Sequence, residues 1–237
     1  MARSRTISRR SAIRSRALIA NALIASAVLA LAGCSTQSGG QDNDWGQVID
    51  MVGGQFDRHT DIALKQAASV PYATLGVRVG DGPQMMIVLA ADETGDKLWT
   101  SKARLAITTR NGRVLRTAGL LRNVDAVSFP GGDPVLAAAV GAAPIETTRF
   151  VDFWDLNRFS VPLHCVAVSR GADPVTILGK SIATIRVEES CESSAMNWTF
   201  TDSFWVGTSG MVWKSIQHTH PDFDPLELEV FRPPAQP

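Results

Sequence analysis

Two histidines one residue apart, His218-Thr-His220, would face the same way on an extended strand and could begin a metal site, with His59 or Asp222 as further ligands. The spacing itself supplies no third ligand, and an exposed strand end before Pro221 explains the pair equally well. Gly207-Thr-Ser-Gly210 falls one residue short of the G-x-S-x-G arrangement that seats a nucleophilic serine, and it reads as a turn. Asp57, Asp61, Asp92, Glu93, Asp222 and Asp224 could supply the two carboxylates that glycoside hydrolysis needs, although acids clustered in loops are ordinarily just solvated. His164 stands beside Cys165, but neighbours on a strand point to opposite faces, which argues for packing or surface rather than a thiol-activating base. No P-loop, dinucleotide fingerprint or zinc-finger spacing occurs. No catalytic and no metal-ligating residue is assigned.

Binding chemistry has more to draw on. Arg110, Arg113, Arg116 and Arg122 bunch around Asn111-Gly112, where they could meet an anionic glycan or phosphate or simply keep a hairpin tip soluble. There are six tryptophans and one tyrosine. Trp99, Trp154, Trp198, Trp205 and Trp213 fall in or beside predicted strands, so most should be core. An open half-barrel lined by such rings could also stack on sugars or hold an acyl chain. The candidate ligand or partner contacts are Arg110, Arg113, Arg116, Trp99, Trp205 and Trp213.

The elements that must position these residues are mostly strands. Trp45, Val48, Ile49 and Val52 recur at helical spacing behind Asp44, and Thr60 to Ala68 suggests a second helix stopped before Pro71. From there the period changes to two, over 72–79, 84–91 and 98–101. Two β-prone runs, Arg104 to Arg110 and Arg113 to Thr117, flank Asn111-Gly112, the dipeptide that most favours a type I′ turn. Asp133-Pro134 should cap a short helix over Val135 to Val140. Further strands are expected over 148–154, 160–169, 175–178, 181–187, 196–206 and 211–218, with a frayed tail from Arg232. About ten short strands without βαβ alternation predict an all-β protein, an antiparallel sandwich of half-barrel-like sheets with a few short helices.

The chain has 237 residues and balances 23 basic against 23 acidic side chains, but the balance is local to no part of it. Residues 1–33 carry six arginines and no acid, which leaves 17 basic and 23 acidic residues and about −6 formal charge on the remainder. That excludes a nucleic-acid binder driven by overall charge. Arginines followed by the apolar run Ala17 to Ala32 have the order of a secretory signal peptide. Leu31-Ala32-Gly33-Cys34 resembles the lipobox of bacterial lipoproteins, which implies cleavage before Cys34 and acylation of its thiol and new amino group. Ser8-Arg9-Arg10 matches the twin-arginine signal poorly, which favours the general secretory route. Ser35 in place of Asp implies, by the enterobacterial sorting rule, the outer membrane with the domain facing the periplasm. Residues 34–44 read as a flexible tether and 45–237 as one domain. With Cys34 lipidated, Cys165 and Cys191 remain in an oxidising compartment, where a disulfide closing about 27 residues is predicted; two buried thiols on separate strands are the alternative.

Pro71 to Gly80 (PYATLGVRVG), Gly82-Pro-Gln, Val88-Leu-Ala90, Trp99-Thr-Ser101, Asn111-Gly-Arg113 with Thr117 to Leu120, and Phe204-Trp205 followed by Gly210 to Ser215 together resemble the YjbF/GfcB family of group 4 capsule and exopolysaccharide lipoproteins. The likeness runs from about Trp45 to Phe231. It implies an all-β fold, lipid on Cys34 and no other cofactor. It also implies a non-enzymatic part in making or exporting surface polysaccharide beside other export proteins. A glycan-binding or glycan-cleaving protein and a lipid carrier are the alternatives.

Overall fold

The computed structural model describes residues 64–235, all within one compact unit, Gly40–Pro237. The signal peptide, Cys34, the tether and the helix expected over 44–52 lie outside the described residues.

The period-two segments form one antiparallel sheet of twelve strands. In chain order these are β1 (Thr74–Val79), β2 (Met85–Glu93), β3 (Asp96–Thr100), β4 (Ala106–Arg110), β5 (Arg113–Ala118), β6 (Ala126–Ser128), β7 (Ile145–Phe153) and β8 (Arg158–Ala172). After the separate β9 (Val175–Ile177) and β10 (Lys180–Ile182) come β11 (Thr184–Ser193), β12 (Trp198–Gly207), β13 (Val212–Gln217) and β14 (Leu226–Arg232). The spatial order is β5-β4-β3-β2-β1-β14-β13-β12-β11-β8-β7-β6. Two meanders are thus joined by β14, which pairs with β1 on one side and β13 on the other. The expected half-barrels are halves of this one continuous sheet.

Its two edges, β5 and β6, follow each other in the chain, and the sheet curls until they approach: Thr117 N–H donates to Val124 O at 2.9 Å. Inward side chains from both halves (Leu75, Ile87, Trp99, Ile107, Phe153, Leu163, Phe200 and Leu228 among them) meet in one core. The predicted hairpin is present, with Asn111 and Gly112 both at positive φ (49° and 79°), as a type I′ turn requires. Its tip is not free. A Cβ at Gly112 would collide with Val212, so the turn packs tightly on β13.

Two helices complete the described fold. Helix α1 (Leu64–Ser69), the described part of the helix expected from Thr60, lays Ala67 against Met86 and Val88. Helix α2 (Val135–Val140) buries Val135, Ala138 and Ala139 against Ala167, Val187, Phe204 and Val206, plugging one end of the barrel. Pro134, not Asp133, stands at the N-cap, and Asp133 supports the first turn from one residue earlier, its Oδ1 accepting the Val135 N–H at 3.0 Å. The β9–β10 hairpin lies outside the sheet, with Val175 and Ile177 on Trp205, Trp213 and Phe231. Cys165 and Cys191 stand directly opposite each other on β8 and β11 and are joined by a disulfide. No helix among the described residues is long and apolar enough to cross a membrane.

Candidate functional site

Charge is concentrated inside the barrel, on residues that form no motif along the chain. Glu189 on β11 alternates in phase with Val187 and Cys191, and Asp202 on β12 with Phe200 and Phe204, so both carboxylates point inward. They meet two arginines. Arg149 from β7 donates from Nη1 to Glu189 Oε2 and from Nη2 to Asp202 Oδ2, each at 3.1 Å. Arg113 from β5 donates to Glu189 Oε2 at 2.7 Å and, through Nε and Nη2, to Asp133 at 2.9 and 3.2 Å. Its guanidinium lies over Phe204, 4.4 Å from the ring centroid. Asp202 Oδ1 accepts the His218 backbone N–H at 2.7 Å and faces the His218 ring at 3.2 Å.

Burial opposes the charge on Asp202, yet His218 and the two arginines outweigh it and hold the carboxyl below its ordinary range. Asp133 is lowered likewise, against its burial, chiefly by Arg113. Burial works against the Arg113 charge too, and Glu189, Asp133 and Asp202 more than restore it. Glu189 Oε1 and Arg149 Nε are buried without a hydrogen-bond partner. The cluster is closed to solvent, with Arg113, Glu189 and Asp202 at most 1% exposed.

Arg113 therefore departs from expectation. It is neither on a solvent-facing tip nor available to a glycan, because three carboxylates draw it off the sheet edge into the interior. Arg110 is on the surface in a bidentate pair with Asp96 (2.6 and 2.9 Å), and Arg116 is exposed. Trp99 is core, its indole N–H donating to Thr109 at 2.9 Å. Trp205 and Trp213 pack beneath the β9–β10 hairpin, with the Trp205 N–H on Asp173 at 2.9 Å. Trp154, grouped with the core rings by sequence, is 72% exposed because it begins the β7–β8 turn.

His218 and His220 do not converge on one site. His220, fully buried, accepts the Asp222 N–H at Nδ1 and reaches Asp155 with Nε2 at 3.3 Å. Gly207 N–H bonds to Met211 O and Gly210 N–H to Gly207 O, the expected turn. Asp92, Glu93, Asp222 and Asp224 are exposed, while Asp57, Asp61 and His59 lie outside the described residues. Cys165, Cys191 and Glu189 offer atoms within 4.8 Å of one another, but the two sulfurs are spent on each other.

Outside the barrel, a cleft of about 950 Å³ runs between the β9–β10 hairpin and the outer face of β1, β14 and β13. Lys214 on its floor donates to Glu227 at 3.0 Å and Glu229 at 2.9 Å, which puts those two oxygens within about 6 Å of each other. Arg78 adds a bond to Glu227 and Gln84 one to Glu229. Burial would depress Lys214, but the two glutamates outweigh it and raise its pKa. Phe231 walls the cleft, its ring seated over Gly76, where any Cβ would strike it. A smaller pocket at the barrel mouth, about 250 Å³ between Leu75, Trp99, Met211 and Leu228, falls below the usual size of ligand sites.

A nearly closed meander barrel, filled with side chains, plugged by a helix and stapled by a disulfide, defines a β scaffold whose larger cleft lies on its outer surface. This chain belongs to the family described as group 4 capsule polysaccharide lipoprotein GfcB, YjbF, which it matches over residues 27–231. It is 26% identical to the uncharacterized lipoprotein GfcB of Escherichia coli K12 over 209 residues, covering 86% of this chain and 94% of that protein. It is 24% identical to the uncharacterized lipoprotein YjbF of the same organism, covering 71% and 79%. The crystal structure of the hypothetical lipoprotein YmcC from E. coli K12 superposes with a TM-score of 0.65 at 26% identity, covering 75% of this chain and 92% of that one.

Proposed function

We propose that the protein is a lipid-anchored accessory factor for the production or export of a surface polysaccharide, held by acyl chains on Cys34 at the periplasmic face of the outer membrane and not itself an enzyme. The observation that carries this reading is the pairing of a family match across nearly the whole chain with a barrel interior packed with side chains. Its buried carboxylates are committed to arginines. Other proteins of the export system would dock on the outside of the rigid scaffold. Deleting the gene should lower surface polysaccharide, and a Cys34→Ala protein should fail to restore it. Full rescue by that unlipidated protein overturns the anchoring.

The cleft beneath β9–β10 favours a second reading, that the protein binds glycan there. Planar carboxylate, guanidinium and amide groups beside Phe231 suit sugar hydroxyls and a pyranose face. The Glu227 and Glu229 oxygens have a separation compatible with glycoside cleavage. Each carboxylate, however, only accepts hydrogen bonds, from Lys214 and from Arg78 or Gln84, which suits binding better than proton donation. Titration with the purified polymer separates the readings: saturable binding lost in Phe231→Ala supports the second.

A further inference from the structure

Large apolar side chains crowd into water at one end of the barrel. Trp154 is 72% exposed, Phe159 49% and Leu121 87%, whereas the equally exposed Val140 stands apart at the end of α2. Trp154 and Phe159 flank the β7–β8 turn edge to face, centroids 5.4 Å apart and planes at 84°. Arg122 pins the β5–β6 connection, which carries Leu121, against the same turn through Asp155 at 2.9 Å. The foundation is stiff: Asp125 accepts the Trp154 N–H at 2.7 Å, Asp152 accepts the Ser160 N–H at 2.7 Å, and buried His220 braces Asp155. A rigid apolar knuckle of this kind, kept in water, marks a contact surface.

We propose that the Leu121–Trp154–Phe159 knuckle inserts into the interface of the bilayer that holds the acyl anchor, giving the domain a second membrane contact. The inference rests on lipid anchoring at Cys34. Perpendicular rings beside an aliphatic chain present edges and no flat platform, which suits an apolar medium better than the face of a sugar. Tryptophan in particular favours the depth of the lipid headgroups. The rim, with Arg122 and Arg158 against Asp155, Asp125 and Asp152, carries no basic excess, so the surface it fits is zwitterionic and its binding should not depend on salt. The expected tether, residues 34–44, would reach roughly 35 Å when extended, so the anchor alone would fix no orientation. Tethering raises the local concentration of bilayer enough for a weak knuckle to engage.

The test uses the acylated full chain, purified in mild detergent and returned to phosphatidylethanolamine–phosphatidylcholine vesicles with brominated acyl chains. Bromine should quench a component of the emission that Trp154→Phe removes, about one sixth of the signal from six tryptophans. Leu121→Asp with Phe159→Asp should abolish quenching of Trp154 while the protein still floats with the vesicles. Identical quenching in wild type and Trp154→Phe overturns the proposal, as does shielding of Trp154 by added capsular polymer or by a cross-linked protein partner in place of lipid. Wild-type protein that does not float at all refutes the anchor instead.

Discussion

At the residue scale the molecule is organised around charges that water does not reach. Removing one member of a buried ion cluster leaves its partners uncompensated, a loss of about 3–5 kcal/mol. Arg149→Met should therefore lower the unfolding free energy by roughly that amount, read as a drop in denaturant midpoint, because Glu189 would keep only Arg113, and Asp202 only Arg113 and His218. The same cluster predicts acid sensitivity. Asp202 and Asp133 have folded-state pKa values below their unfolded ones, so their contribution is fully present above about pH 4 and is lost as pH falls through the folded values. Stability should thus be flat from neutral pH to about pH 4.5 and fall below it, and a Asp202→Asn protein should show a shallower acid limb. Little of this was readable as a motif, since Arg113 takes partners from 20 and 76 residues away. The signal that existed was alternation: Glu189 sits in phase with Val187 and Cys191, a position that faces the core.

At the element scale, the hairpin at Asn111-Gly112, the start of α2 after Asp133-Pro134 and most strands follow from turn chemistry and period two. What escaped was β14, although Leu226-Glu-Leu-Glu-Val230 alternates cleanly, because it follows Pro221 and Pro225 and precedes a proline-rich tail. β6, with three residues, is too short to carry a period. The disulfide was legible from compartment and cysteine arithmetic. Its geometry was not, since that requires knowing that β8 and β11 pair with Cys165 opposite Cys191. As a brace between strands from the two sides of the β9–β10 excursion, it should stabilise the fold by roughly 3.5 kcal/mol in the chain-entropy model. Cys165→Ala with Cys191→Ala should lower the unfolding midpoint accordingly. The wild type should migrate faster on non-reducing than on reducing gels.

At the scale of the whole molecule the question is how a twelve-stranded sheet manages its edges, since exposed edges invite pairing with other chains. Here the edges are drawn together and one is sealed from across the barrel. Gln217, buried on β13, accepts the Val114 N–H of edge strand β5 at 2.9 Å and donates to Gly112 O and Ser215 Oγ, each at 2.8 Å. Thr117 does the same further along, its N–H on Val124 O and its hydroxyl accepting the Val124 N–H. Docking by strand addition at β5 is thus disfavoured, and partners are left the outer faces, the flap-covered cleft and the Trp154 end. Gln217→Ala would strand a buried amide, at a cost of about 1–3 kcal/mol local to the seam. Hydrogen exchange at Val114 should accelerate about 10- to 100-fold, while amides in the centre of β11 and β12, held by full ladders on both sides, change far less. Uniform acceleration across the sheet would mean that the seam and the barrel open as one unit. Selective acceleration at β5 would establish the glutamine as the latch that lets an open sheet behave as a closed barrel.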